Sequence, residues 1–585
     1  MTHDNPIAKK LGRGLMCALL MFCVPLIAAR SSSAEELAAE FFIEGHENET
    51  ALLNRLHQLH HERAFTTCTL WDAWLPKSTV WASAKKRQQY SDALSNRRID
   101  EEGYVSMQQH RGMAHSEGWP FPAWQQSTGV GFHFSNLHDV WAIQQFKLKP
   151  LSSTEEWEFS GAEIQGIDPA VGLKLSATND KIRFTTPSFR CGTVVAPFLR
   201  LEWTTANAPP STKLRVEWLL ENETEWPEDR YAEFDASTRD TMHYRNLPLY
   251  RHPDYAGVVT RYRVTVDAER GSELHLKSVI TAIDTRHPIT GSLFIQGCRD
   301  VFRWTGDAAF LERNLPRMRK ALRFTLREFS VRELNHVDVP WVGHGGRSGL
   351  AFSSEGQKSA RPGLGVGNNY WDLLPFGAHD AIATMYAYDA IGAMVELERS
   401  VRNLGIGTPA ADLRPVELEK LADSIRADFQ KRFWNADTGR FIGWVDVDGR
   451  RYDYGFTFVN LEAIYYGLAS NEQAETILRW LDGDRIIASD TSQGADIYHW
   501  RFGPRSTTLR NVETYVWPWY HPERIPWGNQ LQDGGAVLGF SYFDLMARLQ
   551  TRGPDEAWSR LRQILEWFAD VENEGGYRAY YSEAG

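Results

Sequence analysis

Cysteine is scarce in this chain. Only Cys17, Cys23, Cys68, Cys191 and Cys298 occur in 585 residues, and no two of them form a CxxC pair. That excludes a disulfide framework and a structural zinc site built on paired cysteines, so a large apolar core must hold the fold. HExxH and GxSxG are missing too, which removes the zinc metalloprotease and the commonest serine-hydrolase signatures. Gly363-Leu-Gly-Val-Gly367 lacks the spacing and the strand-then-helix context of a dinucleotide loop and reads as a turn. Basic charge is short: 64 Lys+Arg stand against 75 Asp+Glu, a net charge of −11. Nothing here neutralises a phosphate backbone, so nucleic acid is excluded as a partner. Beyond residue 29 no apolar run is long enough to span a bilayer.

What is present is a folded, multidomain composition: 42% hydrophobic, 24% charged and 12% aromatic residues, with 22 Trp. At the N-terminus Lys9, Lys10 and Arg13 precede an apolar run from Leu15 to Ala29, and Ser32-Ser33-Ala34 supplies small residues for a cleavage site. Residues 1–34 therefore read as a signal peptide, predicting a secreted or periplasmic protein with no membrane contact after cleavage. A membrane anchor is the alternative, but Arg30 ends a run shorter than the roughly 20 residues a span needs.

Two hydrophobic periods divide the rest. After an N-terminal segment at 35–119, partly helical, residues 120–290 alternate with period two, as in Leu214-Val216-Trp218 and Tyr262-Val264-Val266. Turn-rich pieces such as Ala208-Pro209-Pro210-Ser211 separate these runs, and the pattern predicts a β-sandwich accessory domain. From 291 the period becomes 3.6: Leu315, Met318, Leu322 and Phe329 share one face, as do Leu418, Leu421, Ile425 and Phe429. Later helices are predicted at 456–468, 471–482, 535–550 and 555–570. The helices come in pairs without a repeated signature, which favours a closed toroid of helical hairpins over a solenoid. Loops at 331–371 and 483–532 far exceed the usual two to eight residues between bundle helices, and long loops on such a scaffold carry function.

Three segments carry a family resemblance. Asp300-Val-Phe-Arg-Trp304-Thr-Gly-Asp307 followed by Phe310-Leu-Glu-Arg-Asn314-Leu-Pro316-Arg-Met318, then Phe433-Trp434-Asn-Ala-Asp437-Thr-Gly439-Arg-Phe441, and Tyr370-Trp371-Asp372 before a helix, resemble the six-hairpin glycosidases of the glucoamylase, trehalase, processing α-glucosidase and α-L-rhamnosidase types. The resemblance covers roughly 291–585. It implies an all-α (α/α)6 toroid, the six-hairpin barrel, behind the β-sandwich, with glycoside hydrolase activity. Only eight helices are counted from 291, and the chain stops at Ser582-Glu583-Ala584-Gly585 without a closing helix, so either N-terminal helices, for example around 35–62, contribute to the barrel or it is cut short at the C-terminus, and the second is expected.

Glycosidic hydrolysis needs one protonated carboxyl for the leaving oxygen and one carboxylate for water or the sugar, with no cofactor and no metal. Asp372 is the candidate acid, because Tyr370 and Trp371 can desolvate it and raise its pKa; as a helix N-terminal acid it would instead only complement the dipole. The late loop acids Glu583, first, and Glu574 are candidate bases, in keeping with the late base of the glycosidases the chain resembles. Asp533 is a third, since Gly534-Gly535 lets backbone come close to a ligand. Indoles stack on sugar faces while amides and charged groups pair with hydroxyls. Trp500, Trp517, Trp519, Trp527, Asn529 and Gln530 are therefore candidate carbohydrate-binding residues, with His344, Arg347 and Glu355 as subsite candidates before Asp372. The expected partner is a carbohydrate substrate, and inversion is the expected mechanism. A polysaccharide lyase on the same toroid, with Arg347, His499 and Arg501 steering a carboxylate, and a noncatalytic carbohydrate-binding protein are the alternatives.

Overall fold

A computed structural model describes residues 40–60, 84–99, 102–105, 131–135, 151–193, 198–207, 212–236, 243–282, 287–339, 350–352, 358–360, 374, 376–446, 449–514 and 524–581. Among the described residues twelve strands lie between 131 and 282: β1 (Gly131–His133), β2 (Glu158–Ser160), β3 (Ala162–Asp168), β4 (Gly172–Ala177), β5 (Lys181–Thr185), β6 (Cys191–Gly192), β7 (Phe198–Ala206), β8 (Thr212–Leu220), β9 (Tyr231–Ala236), β10 (His243–Leu247), β11 (Val258–Asp267) and β12 (Glu273–Ala282). They form two antiparallel sheets, one in the order β10-β7-β12-β4-β3 with β1 on β12, the other β2-β5-β11-β8-β9 with β6 on β11. Leu173, Leu201, Trp203, Val216, Trp218 and Leu276 fill the space between them. Alternation sends every second side chain inward. In β11 the register shifts between Val259 and Arg261, and this bulge moves the inward phase from Val259 to Tyr262, Val264 and Val266.

Among the described residues there are ten helices of nine or more residues, two before the strands and eight after them: α1 (Glu47–His60), α2 (Ala84–Ser95), α3 (Thr290–Thr305), α4 (Ala308–Glu328), α5 (Ala381–Leu404), α6 (Pro415–Arg432), α7 (Thr457–Tyr465), α8 (Asn471–Leu481), α9 (Phe540–Arg552) and α10 (Pro554–Asn573). From α3 onward they pack as four hairpins, α3 on α4, α5 on α6, α7 on α8 and α9 on α10, while α3, α5, α7 and α9 also pack side by side in that order. Side-chain patterning explains the two layers. Residues 290–301 of α3 and 457–464 of α7 are buried on every face, whereas α6 buries only Leu418, Ile425 and Phe429. Helices apolar all round sit inside and those with a single stripe sit outside. The long outer helix α1 of the N-terminal segment lies against α10, with Arg55 paired to Glu572 at 3.1 Å.

Polar groups mark the centre of the inner layer. Arg299 of α3 holds Asp389 of α5 through two bonds of 3.0 and 2.9 Å and its neighbour Asp300 at 2.8 Å. Beside them the hydroxyls of Tyr465 and Tyr542 meet at 3.2 Å, from α7 and α9. Caps set where the helices begin: Asp307 accepts from Phe310 N at 3.0 Å, Asp380 from Ala383 N at 3.0 Å, and Ser470 with Gln473 makes a reciprocal capping box. The helix predicted from 535 starts at Phe540, because 526–535 is drawn into a turn against the preceding loop.

Candidate functional site

The loops that precede α5, α7 and α9 meet at one end of the helical domain. There four two- or three-residue strands pair antiparallel, Asp338–Val339 with Ala378–Asp380, that strand with Trp444–Val445, and the last with Arg451–Tyr452. Phe376 packs on Trp444 at 4.8 Å and on Phe456, the residue before α7, at 5.1 Å. Leu374 and Phe376 are both buried, which pins the chain two and four positions after Asp372. Asp372 itself, with Tyr370, Trp371, His344, Arg347 and Glu355, lies outside the described residues, as do Trp517, Trp519 and Glu583.

Behind this sheet sits a relay of titratable groups. His336 Nδ1 is 2.9 Å from Asp428 and its Nε2 is 2.8 Å from His379 Nδ1, which in turn lies 3.4 Å from Asp338. Burial, then the charges of Arg432 and His379, lower His336 to about 4 against the pull of Asp428. Burial also raises Asp338, against the pull of His379 and Arg432. The unfolded chain therefore takes up a proton near the ordinary His value of 6.5 that the folded chain takes up only near 4. This group's share of stability is full above that ordinary value and is lost as pH falls toward 4. The denaturation midpoint is expected to drop between pH 7 and pH 4.5, and less steeply in His336→Gln; an equal slope in the variant would remove His336 from the account.

The loop from 482 to 539 meets the same end through its described residues. Its residues 505–509 lie across the start of α7: Thr457 N donates to Ser506 O at 3.0 Å, Thr457 Oγ1 to Arg505 O at 2.6 Å, and Ser506 N to Gly535 O at 2.7 Å. The exit of the loop that carries Asp372 and the turn at 526–535 thus flank the same helix N-terminus. Arg505 is the organiser. It grips Asp496 through Nε and Nη2 at 3.1 and 3.0 Å, donates to Gly534 O at 2.7 Å and stands 5.5 Å from the Trp527 ring. Burial alone would raise Asp496, but hydrogen bonds from Arg505 and Ser492 outweigh it and leave that carboxyl lowered and ionised.

Trp500 donates to Gly534 O at 3.2 Å and Trp527 to Ser492 Oγ at 3.0 Å, so the structure brings the two indoles to one turn. Gln530 closes that turn by accepting from the N–H groups of Asp533 and Gly535, and Asn529 is exposed on it. Gly534 has φ +83, and a Cβ there would stand 2.5 Å from the Trp527 ring. Gly534→Ala is expected to cost more than about 1 kcal/mol, because both the backbone and the indole must shift. A denaturation midpoint and the near-ultraviolet circular dichroism of the tryptophans check it; wild-type values in both would contradict this packing.

Of the candidate bases, Asp533 is fully buried, with one oxygen on Arg510 Nη1 at 2.9 Å and the other on Asn511 N at 2.9 Å. A carboxylate so enclosed ties strands of the loop together and has no open side for a water. Glu574 is exposed, at the C-terminal cap of α10. Arg501, weighed as a carboxylate-steering group, is spent on Asp570 at 2.5 Å and Tyr580 at 3.1 Å. Residues that carry the loop's shape went unread in the sequence. Arg440 joins Asp453 at 2.7 Å to Asp490 at 2.5 and 2.9 Å from a fully buried position, and Arg505 and Arg510 anchor their own acids. No spacing announces such pairs; the only cue is that these arginines sit in aromatic-rich loops. Among the described residues no group of three or more His, Cys, Asp or Glu side chains is placed to hold a metal ion.

No protein-family model matches the sequence, and no curated protein matches it. Among solved structures the chain is similar to the GH78 family rhamnosidase of Bacillus sp. GL1, at 11% identity over 54% of this chain and 37% of that one, with a TM-score of 0.25. It is also similar to a rhamnosidase from Klebsiella oxytoca with rhamnose bound, at 8% identity over 71% and 85% of the two chains and a TM-score of 0.27. A third is the GH63 mannosylglycerate hydrolase of Thermus thermophilus in complex with glucose, at 12% identity over 49% and 68%, TM-score 0.31. The matched region thus spans about a third of the first of these proteins. At such TM-scores the reading of activity rests on this chain's own residues.

Proposed function

We propose that the chain is a secreted glycoside hydrolase that cleaves O-glycosidic bonds at the loop-bearing end of its helical domain, the four hairpins belonging to an (α/α)6 toroid. The observation that carries this reading is the convergence at the α7 N-terminus. The buried exit of the Asp372 loop, at Leu374 and Phe376, lies on one side, and a turn walled by Trp500 and Trp527 lies on the other. A sugar ring needs an apolar wall and hydroxyl partners, and that turn offers indoles with Asn529, Gln530 and the ionised Asp496 beside them.

In this mechanism Asp372, desolvated by its aromatic neighbours, protonates the leaving oxygen, and a second carboxylate activates water on the opposite face of the ring. With Asp533 enclosed and Glu574 on a helix cap, Glu583 is the favoured base. Inversion requires the two carboxyls about 6.5–9.5 Å apart. Proton NMR of the first-formed anomer, on a screen of aryl glycosides and natural polysaccharides, tests both parts. Hydrolysis with an inverted anomer supports the proposal; a retained anomer or an unsaturated product would replace it with double displacement or a lyase.

A further inference from the structure

The outer face of the second sheet of the sandwich is built rather than blank. Strand register sets Arg183, Thr265 and Arg215 in one row across β5, β11 and β8, with Arg263 beside Glu217 in the next. Ile182, Phe184, Val264, Val266, Leu214 and Val216 on the same strands enter the core, so the polar set faces out. The connection from β8 to β9 folds over it and adds Trp226, and Lys181 and Glu228 complete a cavity of about 270 Å³. That is close to the lower end of small-molecule sites, room for about one ring.

The charges in this cavity are unequally spent. Arg263 donates through Nε to Glu217 at 2.7 Å and lies 4.3 Å from the Trp226 ring centre. Arg215 reaches Glu217 at 3.4 Å and the Glu228 backbone oxygen at 3.2 Å, and covers Tyr231 at 3.5 Å. Arg183 uses only Nε, on Thr265 Oγ1 at 3.2 Å. Among the described residues its terminal nitrogens and the Lys181 ammonium make no hydrogen bond or ion pair. Four cations therefore line the cavity against two carboxylates, in a chain of net charge −11. The lining thus offers two unengaged cationic heads, Arg183 and Lys181, together with the Trp226 indole and the Glu228 side chain.

We propose that this cavity is a second saccharide site, on the sandwich and independent of the hydrolase reading, that takes an acidic sugar unit of the uronic acid class. The sugar carboxylate is held by Arg183 and Lys181, the ring lies against Trp226, and its hydroxyls donate to Glu228.

Calorimetric titration of the full chain tests it with three probes: a trimer of a uronic acid, the same trimer reduced at C6 to the neutral sugar, and inorganic sulfate. The acidic trimer is expected to bind at least about tenfold more tightly than the neutral one, the scale of losing a hydrogen bond to a charged group, and more weakly as salt rises. Lys181→Gln with Arg183→Gln, and separately Trp226→Ala, are each expected to lose about tenfold or more with melting unchanged. No binding, equal affinity for the neutral trimer, sulfate binding as tightly as the trimer, or wild-type affinity in the double variant would each overturn the proposal.

Discussion

Asp372→Asn is expected to lower turnover by about 10²-fold or more, the scale on which a general acid contributes, while melting stays at the wild-type temperature. The amide keeps the shape of the side chain but has no proton to give to a departing oxygen. The deficit should therefore grow with the pKa of the leaving alcohol, being smallest for activated aryl glycosides and largest for natural linkages. Steady-state kinetics on such a series read it directly. Undiminished cleavage of a poor leaving group would move the acid elsewhere among the loop carboxylates. A melting curve of the variant, run beside the kinetics, separates a loss of activity from a loss of fold.

The largest expected effect on stability belongs to Arg440. Its guanidinium lies 4.7 Å from the Trp480 ring centre and joins Asp453 to Asp490, with Thr508 donating to Asp490 at 2.6 Å. Arg440 and Asp490 are almost wholly buried, so Arg440→Met strands a carboxylate away from water. Breaking such a pair from one side costs about 3–5 kcal/mol. Chemical denaturation should show that loss, and activity should fall with it because Asp490 and Thr508 hold the base of the loop that carries Trp500 and Trp527. Adding Asp490→Asn to Arg440→Met is expected to return part of the stability, since the stranded charge is then gone. A single-variant loss below about 1 kcal/mol, typical of exposed pairs, would mean the network is not closed as described.

Strands followed by helices were legible because both periods are local. Val264 and Val266 point inward for the same reason that Leu214 and Val216 do, and a sandwich follows from alternation alone. Leu315, Met318, Leu322 and Phe329 are all buried where a 3.6-residue stripe places them. Even the two helical layers are foreshadowed, since α6 carries a single stripe and α7 none. The bulge at Val259 was not legible: one extra residue reverses the phase, and only the partner strand shows where it falls.

The site divides along the same line. A carboxylate flanked by aromatics, as in Tyr370-Trp371-Asp372, and a loop crowded with indoles are visible to anyone reading along the chain, because residue type and neighbours suffice to suggest the chemistry. What Asp533 does is another matter. Beside Gly534-Gly535 it reads as a base near a ligand, yet Arg510 and Asn511, more than twenty positions upstream, enclose it. Arg440 likewise finds Asp490 fifty residues away. Short-range pattern determined the order of strands and helices and the kinds of group available at the loops. Which carboxylates stay open to a substrate and which are consumed in holding the loops was decided only by long-range pairing, because a buried charge takes its role from the partners the fold brings to it and not from its neighbours in sequence.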